Sequence, residues 1–331
     1  MSNRVYLSSQ TTKRKCRLNG IKSSERMPKK DKLRKQFKNH IIYSHPQLPQ
    51  RTDLRDHMTP VEDQSDIASC VANSFAGAYE YLLKKSTGYH TDVSRLFIYY
   101  NARIKDEESD DIDDSGCTVA SAIESLEESG TCLESLWPYK MKRVNKCPND
   151  DAYSAAESHR ISDALQLNVD LYQMKSCLAQ GFPFVFGLEL YESFDKANKK
   201  GYVPMPKPEA KNRGSHGSHA MLAVGYSDCS KIFIVRNSWG SEWGVKGYCY
   251  IPYSYMSDPD FCWDPWAVRK LETNDMGNDH WDDDDDNEYE EEEDEDDDED
   301  DEDDDEDDDD DDEDDDEEDD EDDEDEDDED E

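Results

Sequence analysis

The chain has 331 residues, with 37 Lys or Arg against 85 Asp or Glu, but the imbalance is local: residues 282–331 hold 48 acids and no base, so the remainder is neutral. Residues 1–50 carry 13 bases and only two acids, Glu25 and Asp31, leaving residues 51–281 mildly acidic. No apolar run approaches the ~20 residues that span a bilayer and no apolar secretory core opens the chain, so the expectation is a soluble intracellular protein, cytoplasmic by default.

In chain order, residues 1–50 form a basic leader poor in periodic apolar positions, expected to be flexible or only locally ordered. Its clusters Thr12–Arg17 and Lys29–Lys35 would suit nuclear import or nucleic-acid contact, yet short basic runs are common on solvated termini. A folded body is expected over residues 51–272, large enough for a self-sustaining core. Apolar or small residues three and four apart, Ala72, Phe75, Ala76, Tyr79, Leu82 and Leu83, predict a helix over 69–85. Further helices are predicted over 93–103 and 118–128, the latter closed by Gly130. Beyond Pro183 the runs 184–190, 221–226, 232–236 and 247–251 are rich in β-branched and aromatic residues and predict strands. Helices first and strands second argue for an α+β body in two halves with a cleft between them.

Residues 273–331 form a poly-acidic tail that cannot bury enough apolar surface to order itself. The tail would repel nucleic acid, so direct binding through the leader is disfavoured. Weak diffuse calcium binding, a basic protein partner or simple solubility would each suit the tail, as would pairing with the leader or lying across the cleft. The nine cysteines are odd in number and form no C-x-x-C pair, so reduced thiols are expected, with no metal site and no other cofactor.

Cys70 stands where the first predicted helix begins, a position that favours a thiolate. Gln64, six residues earlier, could turn its amide back and, with the Cys70 N–H, donate to an oxyanion. The strands 221–226 and 232–236 flank the polar residues 227–230 and predict an antiparallel hairpin. A turn centred between Asp228 and Cys229 places His219 opposite about position 238, next to Asn237, so an imidazole base and a carboxamide orienter come together. His216 is the rival imidazole, but Gly214 and Gly217 flank it and mark a mobile loop.

The stretch from Asp53 to Cys70, the stretch Ser218–Tyr226 and R-N-S-W-G-S-E-W-G-V-K-G-Y from Arg236 together resemble the three signature blocks of the papain family, in the family's order. The resemblance implies a two-domain fold, with a helical left half bearing Cys70 and a β-rich right half bearing His219 and Asn237. It also implies hydrolysis of peptide bonds in protein or peptide substrates through an acyl-enzyme. Cys70 would attack, His219 would form the ion pair and protonate the leaving amine, Asn237 would hold the imidazole, and Gln64 would bind the oxyanion. Trp239 would cover the His219–Asn237 bond, and Ser115 and Gly116 would fall on an edge that binds substrate backbone. Val71 and Ile67 depart from the family's usual aromatic and cysteine at those positions, and the leader is too short to resemble the family's folded propeptide. Two other readings share these residues: a catalytically silent scaffold serving as an acidic binding protein, which would need a blocked cleft, and a peptide ligase or other acyl transferase.

Overall fold

The structure is a computed structural model that describes residues 6–8, 15–24, 26–109, 111–207 and 215–271. The acidic tail, and with it the expectations of disorder, calcium and a basic partner, lies outside the described residues, as do residues 12–14 of the cluster at 12–17.

Three helices build one half: α1 (Cys70–Thr87), α2 (Arg95–Glu107) and α3 (Val119–Glu128). Each boundary has a local cause. The Ser94 hydroxyl accepts from the Phe97 N–H at the start of α2, and Thr118 accepts from Ser121 at the start of α3. Gly88 closes α1 at φ 78°, a backbone state that costs glycine nothing, and its N–H reaches the Lys84 carbonyl. The start of α1 differs: Ser69 makes no side-chain cap, so the first N–H groups of α1 remain for whatever faces them. Two shorter helices, α4 (Asp150–Ala156) and α5 (Leu171–Ala179), were not expected from the sequence.

The other half is a sheet. Its strands are β4 (Lys35–Gln36), β5 (Arg51–Asp53), β7 (Ile161–Gln166), β8 (Phe184–Leu190), β9 (Gly217–Ser227), β10 (Ile232–Arg236), β11 (Tyr248–Pro252) and β12 (Cys262–Leu271), numbered along the chain with β1 (Tyr6–Ser8), β2 (Lys15–Arg17), β3 (Ile21–Lys22) and β6 (Cys117–Thr118), which pair outside it. The strand order is β11-β10-β9-β8-β12-β7-β4, with β5 on β9. The architecture is α+β, and α1 packs against β8, β9 and β12, so its amino terminus meets the sheet. The expected hairpin forms between β9 and β10 with a shifted register: Ile232 pairs with Ser227 and Ile234 with Gly225, then a bulge sets Val235 opposite Ala223.

The described part of the leader is more ordered than the flexible or only locally ordered segment expected of it. Leu33 and Phe37 are fully buried, and β4 extends the main sheet by pairing with β7. The folded body therefore begins before residue 51. Residues 15–24 take a separate course: β3 pairs in parallel with β6, the strand that leads into α3.

Candidate active site

Cys70 is the first residue of α1 and is fully buried. Its sulfur accepts the Ala220 N–H at 3.4 Å, and the N–H groups of Cys70, Val71 and Gly20 also point to it. Ala220 follows His219 on β9, so the sulfur lies against the strand that carries the imidazole. His219 Nε2 is 2.8 Å from Asn237 Oδ1, and the same oxygen accepts the Ser238 N–H. Because a backbone N–H fixes that atom as the acceptor, Nε2 must carry the ring proton, and Nδ1 is left as the basic nitrogen. Nδ1 is buried and has no hydrogen-bond partner among the described residues. Trp239 stacks on the imidazole with ring centroids 4.5 Å apart and 23° between planes, and Trp243 and Phe194 meet Trp239 edge-on. Trp239 thus belongs both to the aromatic core and to the lid over the His219–Asn237 bond.

Gln64 is buried beside this group. Its carboxamide oxygen accepts the Ser238 hydroxyl at 2.5 Å, and its Nε2 donates to the Ile67 carbonyl at 2.9 Å. The rival His216 points elsewhere: its N–H bonds the Leu190 carbonyl, and its ring is 3.8 Å from Asp195.

What sequence reasoning missed is the chain's own leader lying in the cleft. The Asn19 N–H donates to the Ser218 carbonyl at 2.7 Å, and Asn19 Oδ1 accepts the Ser218 N–H at 2.8 Å. The Gly20 carbonyl accepts the Cys117 N–H at 3.1 Å. A Cβ on Gly116 would come within 2.6 Å of the Gly20 oxygen, so the edge expected to bind substrate backbone is filled by the strap 19–22. Ser115 is engaged as well, its hydroxyl taking the Lys22 ammonium at 3.1 Å. The strap offers the sulfur the Gly20 N–H, while the Gly20 carbonyl is taken by the Cys117 N–H.

This cover sets the charge state of the pair. Burial drives the Cys70 thiol up to about 12, against the lowering effect of the N–H groups around it. Burial likewise drives the His219 imidazole down to about 4, with Asn237 opposing. A proton on sulfur and a bare Nδ1 is the result, so the covered pair is neutral. Burial thus opposes the ion pair expected from the sequence.

Cations of the leader hold the strap to acids of the helical half. Lys22 pairs with Glu107 at 2.9 Å, Arg26 with Glu124 at 2.7 Å, and Lys30 and Lys32 with Glu127 at 2.5 and 2.7 Å. Burial pushes the Glu127 carboxyl up, but Lys30 and Lys32 more than offset it, so it sits below its usual range. A depressed carboxylate stabilises above its unfolded pKa and loses that contribution as pH falls through the folded one. Half-exposed cations make such pairs worth about 0–1 kcal/mol each. Glu127→Gln should therefore speed amide hydrogen exchange of residues 15–24 about two- to fivefold at neutral pH; exchange at the wild-type rate would mean that these pairs hold nothing.

An α+β body with a helix-borne thiol against a strand-borne, asparagine-locked imidazole is the fold of papain-like cysteine peptidases. The family profile "Papain family cysteine protease" matches residues 48–258, well over half of the chain, and the chain belongs to that family. An uncharacterized peptidase C1-like protein of Acanthamoeba polyphaga mimivirus is 36% identical over 220 residues, covering 63% of this chain and 69% of that one. Cathepsin L2 of Homo sapiens is 28% identical over 223 residues, covering 62% of this chain and 60% of the cathepsin. Xylellain, a cysteine protease from Xylella fastidiosa, matches with a TM-score of 0.60 at 34% identity, over 67% of this chain and 87% of its own. The chain thus spans less than two thirds of the human relative's length.

Proposed function

We propose that the protein is a cysteine endopeptidase held in a covered, latent form. The observation that carries this reading is the tautomer lock: Asn237 Oδ1 fixes the proton on His219 Nε2 and leaves Nδ1 basic, on the strand whose next N–H touches the Cys70 sulfur. Once the strap leaves, water relieves the desolvation, and the helix amino terminus and the imidazole favour thiolate and imidazolium. Cys70 Sγ then adds to the scissile carbonyl, whose oxygen is met by the Cys70 N–H and by the Gln64 amide after it exchanges its bond to Ile67. The imidazolium gives its proton to the leaving amine, and an acyl-enzyme remains for water to hydrolyse. Asn237 and Trp239 keep the ring oriented throughout.

The closed cleft is also the condition a silent scaffold would require, so the two readings part on whether the strap lifts. Incubation of the full chain with a thiol-directed peptidyl epoxide, alongside turnover of a fluorogenic peptide library, separates them. Labelling at Cys70 and turnover that Cys70→Ala lowers by at least about 10³-fold are expected. Alkylation of Cys70 by a small haloacetamide without any peptide turnover would make the protein a scaffold.

A further inference from the structure

We propose that Tyr139, outside all three signature blocks, is the positioning residue that sets the oxyanion donors; this rests on the peptidase reading above. Those donors, the Gln64 side chain and the Cys70 N–H, sit at the two ends of the loop 64–70. Tyr139 spans that loop. Its hydroxyl donates to the Gln64 carbonyl at 2.9 Å and lies 2.7 Å from the Ser69 hydroxyl. Since the one phenolic proton goes to Gln64, Ser69 must donate to the phenol oxygen. Asn73 Nδ2 in turn donates to Ser69 Oγ at 2.9 Å and to the Ser69 carbonyl at 2.9 Å. A single directed chain therefore runs from Asn73 on α1 through Ser69 and Tyr139 to the Gln64 backbone, tying both oxyanion donors to one phenol.

The phenol is itself fixed from behind. The Arg95 guanidinium stacks 4.2 Å from the Tyr139 ring centroid, and Glu62 and Glu134 hold that guanidinium at 2.8 and 3.6 Å. Glu134 also accepts the Tyr139 N–H. Burial pushes the phenol well above its usual range, which keeps it a neutral donor at any working pH. A site stiffened to this extent suits a donor pair that must meet an oxyanion within a few tenths of an ångström.

Tyr139→Phe keeps the ring, its packing and the Arg95 contact, and removes only the hydroxyl that joins Gln64 to Ser69. The test compares two reactions of Cys70 in the full-length chain. Alkylation by a small haloacetamide needs the thiolate but no oxyanion donors. Reversible capture of a peptide aldehyde puts a developing oxyanion between Gln64 and the Cys70 N–H. Both require the strap to lift, so their ratio cancels that step. Aldehyde affinity and kcat for peptide cleavage should each fall about tenfold or more in Tyr139→Phe, with KM and the alkylation rate within about twofold of wild type. Tyr139→Leu, which also loses the cation–π contact, should lower thermal stability in addition. Equal losses in alkylation and capture would make Tyr139 a merely structural residue, and no loss in either would remove it from the site. A wild-type chain that is alkylated but neither captures aldehyde nor cleaves peptide would sink the peptidase reading first, a result distinguishable from either.

Discussion

Gly20→Val is expected to expose Cys70 and raise its rate of alkylation by about 5–150-fold. Gly20 has no left-handed φ, so valine would suit the backbone, and space alone forbids the side chain. A Cβ there would meet the Ala68 carbonyl oxygen at 2.6 Å and the Cys70 sulfur at 2.9 Å. Neither neighbour is the far end of a flexible chain: one is backbone and the other is the first residue of a helix packed against the sheet. Overfilling such a contact costs about 1–3 kcal/mol, which as a shift between covered and open states gives the stated range. The loss falls on the strap and not on the body, whose thermal transition should stay where it is. Peptide turnover should rise in step with alkylation, because reopening also lets the thiol and imidazole recover their ordinary acidities. If Gly20→Val reacts no faster than wild type, the strap is not what limits access to Cys70.

The parts of this site that were legible in the sequence are those fixed by local pattern. β8 and β10 were readable at their observed bounds because one apolar run starts just after Pro183 and the other lies between Lys231 and Asn237. The α3 boundary followed from Thr118 and Gly130, and Gly130 adopts φ 70° with its N–H on Ser125. The hairpin partners are legible in the sequence, but a turn centred between Asp228 and Cys229 gives a register that the structure shifts. The turn extends to Lys231, at φ 52°, and the bulge between Ile234 and Val235 then takes back one residue. β12 escaped notice because Asp264, at φ 47°, and Pro265 interrupt its run and read as a turn. The strap was illegible for a different reason. Leu-Asn-Gly-Ile-Lys reads locally as a polar bend, and only the distant Gly116, Ser218 and Cys117 give it partners. A segment whose order comes wholly from tertiary contacts leaves no periodicity to find.

Glu80→Gln should stabilise the folded chain at pH 8 and leave it unchanged near pH 4.5. Glu80 lies on the same helix as Cys70, is 1% exposed, and accepts the Thr59 hydroxyl at 2.6 Å and the Val93 N–H at 3.0 Å. Burial pushes its carboxyl up to about 7 from an ordinary 4.5, although both bonds and Arg236 pull the other way. Between those two values the folded chain binds more protons than the unfolded one, so stability falls as pH rises through the window. Glu134, also raised to about 7 by burial first of all, adds a slope of the same sign. The carboxamide introduced by Glu80→Gln can keep both partners, its oxygen accepting from Val93 and its amide donating to Thr59, while carrying no charge to desolvate. The gain at pH 8 is about 1–3 kcal/mol, read as a higher Tm in Glu80→Gln and a flatter dependence of Tm on pH. Alkylation of Cys70 should not change, since the carboxylate touches neither the strap nor the imidazole. A variant less stable than wild type at pH 8 would show that the charged form of Glu80 is held by its neighbours and not opposed by burial.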